Sequence, residues 1–318
     1  MGLLRDKVAL VTGGGRGLGR CYALALAEAG ARIVVNDFGA QLDGLASGAD
    51  PAGEVVREIE AAGGVALANR ASVASWSGAE SMIRDAVTAF GKIDIVINNA
   101  GISRSVALVD MQEGDADLEI GVHLKGALAT THFASAWWHD AGPAPGRAII
   151  NTTSAAGLHP NYGGQLYPAC KAAIAALTMG TAHELAYLGV RANALAPCAR
   201  TRMVGGSALV SRLMPPTDGF DRHAAEHIAP LVVYLASSKC RFTGRVFAME
   251  GPDVATYTPW SVEKQYSQPG GWTAETLAEA FSGHGEQAEH VAFFPGGAVP
   301  FRLPSGRTLK ELGQAGKD

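Results

Sequence analysis

The 318-residue chain has only four cysteines, Cys21, Cys170, Cys198 and Cys240, and they stand far apart. No Cys-x-x-Cys spacing occurs, so neither a disulfide framework nor a zinc-ligand set is visible, and a reducing compartment fits better. No apolar run reaches about 18 residues, the least a membrane-spanning helix needs. No basic cluster stands out and the formal net charge is −4, which argues against a nucleic-acid partner. No leader-like apolar stretch precedes the first strand pattern. No internal repeat and no low-complexity stretch is found. The expectation is a cytoplasmic protein without a membrane or nucleic-acid partner.

What is present is a large apolar fraction, 47%, and forty glycines scattered among strongly apolar segments. Glycines so placed mark tight turns and close backbone approaches rather than disorder. Short apolar runs alternate with longer helical patterns. Strands are expected at Val8–Val11, Arg32–Asn36, Val65–Asn69, Ile93–Ile97, Ala148–Thr152, Arg191–Ala196 and, last, Arg245–Met249. Helices are expected at Gly17–Ala29, up to Ala62, Trp76–Phe90, Asp117–His139, Tyr167–Leu188 and His223–Leu235, with a Gly/Asp-rich loop over Phe38–Gly53. This β-α alternation, with nearly continuous apolar strands, predicts an α/β fold: a Rossmann-type doubly wound parallel sheet in a single domain. The catalytic domain is placed at residues 1–252. A C-terminal extension, 253–318, is richer in Pro, Gly and polar residues and carries one amphipathic piece, Thr273–Phe281. Its aromatic residues either lie across the domain or a neighbouring subunit, or belong to a partly ordered surface tail.

The first β-α turn reads Thr12-Gly13-Gly14-Gly15-Arg16-Gly17-Leu18-Gly19. Between a strand and a helix, such a turn lets backbone approach a pyrophosphate beside free helix N–H groups. The second strand ends in Asn36-Asp37. A carboxylate there suits the ribose hydroxyls of NAD and repels a 2′-phosphate, although Arg16 would favour one. Asn98-Asn99-Ala100-Gly101 follows the fourth strand; its small residues leave room for cofactor, and its Asn side chains can tie strand ends together.

Tyr167 and Lys171 lie four apart on a predicted helix, hence on one face. A nearby ammonium would lower the phenol's pKa from about 10, so that Tyr167 could exchange protons with a substrate oxygen. Ser154 follows a strand and is placed to bind the same oxygen.

Together these motifs resemble the short-chain dehydrogenase/reductase family: TGGGRGLG from Thr12, NNAG from Asn98, TTSAAG around Ser154, YPACK from Tyr167 and NALAP from Asn193. The resemblance covers about residues 5–252. It implies that Ser154 polarises the carbonyl, that Tyr167 is the acid/base, and that Lys171 lowers its pKa and holds the nicotinamide ribose. It also implies NAD contacts at Gly13, Arg16, Gly17, Leu18, Gly19, Asp37, Ser72, Val73, Asn99, Ala100, Gly101 and Pro197. Within the family the text is similar to the (3R)-hydroxyacyl-CoA dehydrogenase part of peroxisomal multifunctional enzymes type 2 and their bacterial relatives. VVNDFG from Val34, GVHLKG from Gly121, the long loop after Asp37 and AGLHPNYGG from Ala156 carry that similarity.

Three positions depart from the general family pattern. His123 stands where most members have a relay Asn, and is read either as a variant relay residue or as a structural helical histidine. Ala71 replaces an Asp near the adenine. Cys198 replaces the glycine after Pro197 and either lines the pocket or packs as a small apolar side chain. The leading expectation is interconversion of a 3-hydroxyacyl-CoA and a 3-oxoacyl-CoA. A free secondary alcohol, such as a steroid or terpenoid, is the alternative substrate; a non-catalytic NAD-binding scaffold or sensor is the alternative role. Arg200 and Arg202 are candidate contacts for CoA phosphates or simply solvated loop charges. Small and apolar residues on several faces of the long helices point to a homodimer or homotetramer.

Overall fold

The structure is a computed structural model and describes residues 2–40, 48–102, 106–159, 164–201, 214, 217, 219–258, 260, 262, 264–282, 291–294 and 297–300. Its strands alternate buried side chains between two faces, as a period of two requires. Within β1 (Val8–Thr12), Ala9 and Val11 enter one core while Val8 and Leu10 enter the other. The first core packs the sheet against α1 (Gly17–Glu28), α2 (Pro51–Ala61) and α8 (Ala229–Ala236) through Tyr22, Leu26, Val55, Ile59, Val232 and Leu235. The second packs it against α3 (Trp76–Phe90), α5 (Gly126–Asp140) and α7 (Leu166–Glu184) through Met82, Ala86, Trp138 and Leu185. Burial on both faces explains why β2 (Arg32–Asn36), β4 (Ile95–Asn98) and β5 (Arg147–Thr152) are almost wholly buried.

With β3 (Ala66–Asn69), β6 (Val190–Pro197), β7 (Val246–Glu250) and β8 (Asp253–Tyr257), the sheet runs in the order β3-β2-β1-β4-β5-β6-β7-β8. The first seven strands are parallel, and the order reverses at β1, which pairs with both β2 and β4. The crevice beyond the C-terminal ends of β1 and β4 is therefore where an open α/β sheet takes its ligand.

Four boundaries differ from the sequence reading. The sheet does not end with the seventh strand. Gly251, at φ +53°, turns the chain so that β8 pairs antiparallel with β7, and the first five residues of the expected extension join the sheet. The expected helix from His223 is a 3₁₀ turn, Ala225–Ile228, followed by α8, which places Pro230 in the first turn where its missing N–H costs nothing. The helix expected from Asp117 begins earlier, as α4 (Glu113–Ile120), where Asp115 accepts the Gln112 backbone N–H at 3.1 Å. A π turn, Gly121–Lys125, then joins α4 to α5. Finally, α7 gives way to a 3₁₀ turn, Ala186–Leu188. Within the extension, Thr273 caps a short helix, α9 (Ala274–Ala280), and β9 (Val291–Phe294) pairs antiparallel with β10 (Gly297–Pro300).

Candidate active site

The cofactor candidates converge because the glycine turn cannot tolerate side chains. A Cβ at Gly19 would lie 2.0 Å from the Gly13 carbonyl oxygen, and one at Gly15 would fall within 3 Å of Pro51 and Asp37. Gly13 and Gly17 have φ of +61° and +51°, a region L side chains rarely adopt. Arg16 precedes α1 without capping it through its side chain, which leaves the first helical N–H groups directed at the crevice. That is the donor set a pyrophosphate needs.

The strand ends are tied together by side chains. Asn99 Nδ2 donates to the carbonyls of Thr12 (3.0 Å) and Gly13 (3.2 Å), and the Thr12 hydroxyl accepts the N–H groups of Asn99 and Ala100, each at 3.0 Å. Asn98 Nδ2 donates to Asn151 Oδ1 at 2.9 Å, and Asn151 Nδ2 to Thr178 Oγ1 at 2.9 Å, so a buried amide ladder links β4, β5 and α7. Such a fully paired ladder fixes the strand ends relative to α7. Asp37 Oδ2 accepts the Gly15 N–H at 3.0 Å and Oδ1 the Gly39 N–H at 2.8 Å. The carboxylate thus braces the glycine turn and still faces the cleft with its remaining lone pairs. Arg16 turns its guanidinium to the Ala40 carbonyl at 3.0 Å, beside Asp37.

One cleft takes in Gly13, Arg16, Gly17, Leu18, Gly19, Asp37, Ser72, Val73, Asn99, Ala100, Gly101, Ser154, Tyr167, Lys171 and Pro197. Ala71 also lines it, and its carbonyl accepts Asn36 Nδ2 at 2.8 Å. The sequence reading missed several wall residues, among them Phe38, Leu118, Val122 and Thr201, because apolar loop and helix residues carry no chemical signature.

At the catalytic end, Ser154 caps α6 (Ala155–Leu158) and is hydrogen-bonded to the Tyr167 phenol. Lys171 is 4% exposed and donates from Nζ to the Thr152 carbonyl at 2.8 Å. Its Nζ lies 5.6 Å from the centroid of the Tyr167 ring. Burial pushes the Tyr167 phenol above its ordinary pKa of 10, the Ser154 hydrogen bond lowers it in part, and the Glu119 charge raises it further. The Lys171 ammonium, bonded to the Thr152 carbonyl, is itself lowered by burial to about 8. The sequence reading missed Glu119, whose charge bears on the phenol. It is fully buried on α4, one turn before His123.

His123 stands behind the cleft wall, 2% exposed, within the π turn. Its ring meets Tyr167 edge-on at 5.3 Å between centroids. Nε2 lies 2.8 Å from the Ile102 carbonyl and 3.3 Å from the Ile102 N–H. The shorter contact assigns the proton to Nε2, which leaves Nδ1 a buried acceptor without a partner among the described residues. Burial, reinforced by the Lys171 ammonium, holds its pKa well below the usual 6.5. Gly101 must lack a side chain here: a Cβ would lie 2.7 Å from His123 Cε1.

Two further expectations change. Arg200 is no free phosphate contact: its guanidinium grips both carboxylate oxygens of Asp221, at 2.6 Å each, and donates to the Met214 carbonyl at 3.0 Å. Arg202 lies outside the described residues, as does most of the loop after Asp37 and the centre of AGLHPNYGG. Cys198 packs, as one alternative held: it is buried and absent from the cleft wall, and burial pushes its thiol up to about 12. All four cysteines are unpaired, and no described helix is long and apolar enough to cross a membrane.

A Rossmann-type sheet with a glycine turn at its switch point and a Ser-Tyr-Lys cluster at the end of β5 and the start of α7 defines a dinucleotide-dependent dehydrogenase class. The chain belongs to the short chain dehydrogenase family, whose model matches residues 7–207. It is 41% identical over 243 residues to peroxisomal multifunctional enzyme A of Dictyostelium discoideum, covering 76% of this chain and 52% of that protein. The chain thus spans about half the length of that relative. It is 38% identical over 297 residues to hydroxyacyl-CoA dehydrogenase ChsB1 of Mycobacterium tuberculosis, covering 88% of this chain and 90% of that one. A crystal structure of a short chain dehydrogenase from Mycobacterium avium superposes with a TM-score of 0.78 at 39% identity, over 94% of this chain and 98% of that one. Two more distant neighbours carry different cofactors. A Burkholderia cenocepacia dehydrogenase holds NADP (28% identity, TM-score 0.68, 78% of this chain and 98% of that one). A 7α-hydroxysteroid dehydrogenase holds NADH and an oxidised bile acid (26%, 0.69, 78% and 94%).

Proposed function

We propose that this chain is an NAD(H)-dependent dehydrogenase that interconverts a 3-hydroxyacyl-CoA and a 3-oxoacyl-CoA. The observation that carries the chemistry is the meeting of Ser154, Tyr167 and Lys171 in the one cleft that also holds the glycine turn and Asp37. The substrate class rests on the similarity to the hydroxyacyl-CoA dehydrogenase and multifunctional-enzyme relatives. The cleft fits a nicotinamide dinucleotide: bare helix N–H groups and side-chain-free glycines stand at one end, a carboxylate beside them, and a phenol at the other. The carboxylate of Asp37 favours NAD over NADP by repelling a 2′-phosphate.

Bound nicotinamide supplies the hydride acceptor or donor. The protein supplies the rest. Ser154 holds the substrate oxygen and orients the Tyr167 phenol. In the reducing direction the neutral phenol gives that oxygen a proton as charge develops on it. In the oxidising direction the phenol must first lose its proton. Lys171 holds the Thr152 carbonyl, with its side chain directed at the same floor of the cleft. His123 fixes the π turn through Ile102 and offers Nδ1 as a neutral acceptor for a relay.

Arg200 is held by Asp221 and so is not free to grip a CoA phosphate, and the hydroxysteroid dehydrogenase neighbour keeps a free secondary alcohol as the second reading. A turnover panel separates the two: 3-hydroxyacyl-CoA esters against free steroid and terpenoid alcohols, each with NAD and with NADP. Higher kcat/KM for the free alcohols overturns the acyl-CoA reading. No turnover with any of them returns the scaffold reading. The four unpaired cysteines support a cytoplasmic location. Exposed Ile120 on α4 and Leu128 on α5 support a homodimer or homotetramer, which sedimentation would test.

A further inference from the structure

Outside the cofactor cleft, three chain segments distant in sequence bring together a thiol, an imidazole and a carboxylate. Cys198 follows β6, His223 precedes the 3₁₀ turn before α8, and Glu250 ends β7. Their ligand atoms all lie within 4.8 Å of one another. The backbone fixes two of the three. The Cys198 N–H donates to the Met249 carbonyl at 2.9 Å, and the His223 carbonyl accepts the Arg200 N–H at 2.7 Å. Glu250 Oε1 accepts from His223 Nε2 at 3.0 Å and touches Arg222 Nε at 3.4 Å. Glu250 Oε2 is buried with no hydrogen-bond partner among the described residues, and Glu250 is only 8% exposed. A buried, half-satisfied carboxylate beside a neutral thiol is costly unless something positive completes it. Arg222 does so in part only, because it is also paired with Asp253.

We propose that Cys198, His223 and Glu250 form a binding site for a zinc-class divalent cation that ties the end of β6 to the end of β7. The donor set is the ground for that class. A thiolate and an imidazole select zinc over magnesium or calcium, which demand oxygen cages. Bonds of about 2.0–2.3 Å in a tetrahedron place ligand atoms roughly 3.5 Å apart, so atoms already within 4.8 Å of one another need only side-chain adjustments to close on one ion. On binding, the Cys198 thiol proton is released to solvent, Glu250 Oε2 gains its missing partner, and the fourth position is left to water. Pro197 and Ala199 line the cofactor cleft on either side of Cys198, so the cation would brace the cleft wall without entering it.

The test uses the full chain, stripped of metal by a chelator and then freed of it. Cobalt(II) should give an intense near-ultraviolet thiolate-to-cobalt band that saturates at one equivalent and is displaced by zinc chloride. Cys198→Ser should abolish the band, and His223→Gln should weaken zinc binding by at least about 100-fold, beyond what losing a supporting contact does. Zinc-edge absorption spectroscopy of the loaded wild type reads the ligand set without a variant, and one sulfur among lighter donors is the expected result. No thiolate band in the wild type, a band that survives Cys198→Ser, or a sulfur-free zinc environment would each overturn the site.

Discussion

His123 should make the protein lose stability in mild acid, with a size that can be worked out. Its ring is buried, bonded to Ile102 through Nε2, and neutral because its folded pKa lies well below the usual 6.5. The unfolded chain therefore binds the extra proton first. The sign follows: the contribution is whole above about pH 6.5 and is lost as pH falls below it. While the folded ring stays neutral, the slope is about 1.4 kcal/mol per pH unit. Against a typical total of about 5–15 kcal/mol, that loss is measurable. Urea unfolding at pH 7.5, 6.5 and 5.5, at one protein concentration, would follow it in the wild type and in His123→Asn. Asparagine keeps an amide for Ile102 but does not titrate. Between pH 6.5 and 5.5, where the unfolded imidazole goes from half to mostly protonated, the variant should lose about 1 kcal/mol less than the wild type. Parallel profiles would show that His123 takes up its proton in the folded protein as readily as in the unfolded chain, and the neutral-relay reading would fail with it.

Tyr167→Phe should lower kcat/KM by at least about 100-fold while cofactor affinity, read by fluorescence quenching, stays near wild type. Retention of half the wild-type rate would remove the phenol from the chemistry. Asp37→Ala should narrow the ratio of NAD to NADP specificity constants; a wild type that uses both equally would refute the selectivity argument. Oxidation rates should rise from pH 7 to 9 while reduction rates stay level, because a phenol held above its ordinary pKa must lose a proton to act as base and keeps one to give as acid; an oxidation rate that is flat over this range would contradict this. Removing residues 253–318 strips β8 from β7, whose five residues are all buried, so the truncated chain should aggregate or lose activity in a sedimentation and turnover assay.

The parts of the fold legible in the sequence were those in which one physical cause dominates. Val8–Thr12 and Arg32–Asn36 are buried on both faces, and continuous apolar text is the only way to satisfy that. The glycine turn was legible because a Cβ at Gly19 or Gly15 has nowhere to go. β8 was not legible. Its residues alternate between partly buried and exposed, and only pairing with β7 makes Asp253–Tyr257 a strand. The π turn at Gly121–Lys125 was hidden for a related reason: α4 and α5 join into one helical pattern, and the turn carries His123, whose contact with Ile102 lies 21 positions away in the chain.

The same distinction separates the site's membership from its electrostatics. Spacing alone placed Tyr167 and Lys171 on one face of α7, and that much is geometry internal to a helix. Where the ammonium sits relative to the phenol is another matter: it is bonded to the Thr152 carbonyl, 5.6 Å from the Tyr167 ring centroid. The determinants of that choice are remote. Thr152 ends β5, one residue after Asn151, which the amide ladder holds against Asn98 and Thr178. The charge that weighs most on Tyr167 comes from Glu119, 48 residues earlier, on a helix whose approach to α7 no local pattern encodes. A sequence can therefore name the groups that meet at such a centre while leaving the sign of a pKa shift undecided. Here burial outweighs the lysine, and the phenol is poised as an acid before any ligand arrives.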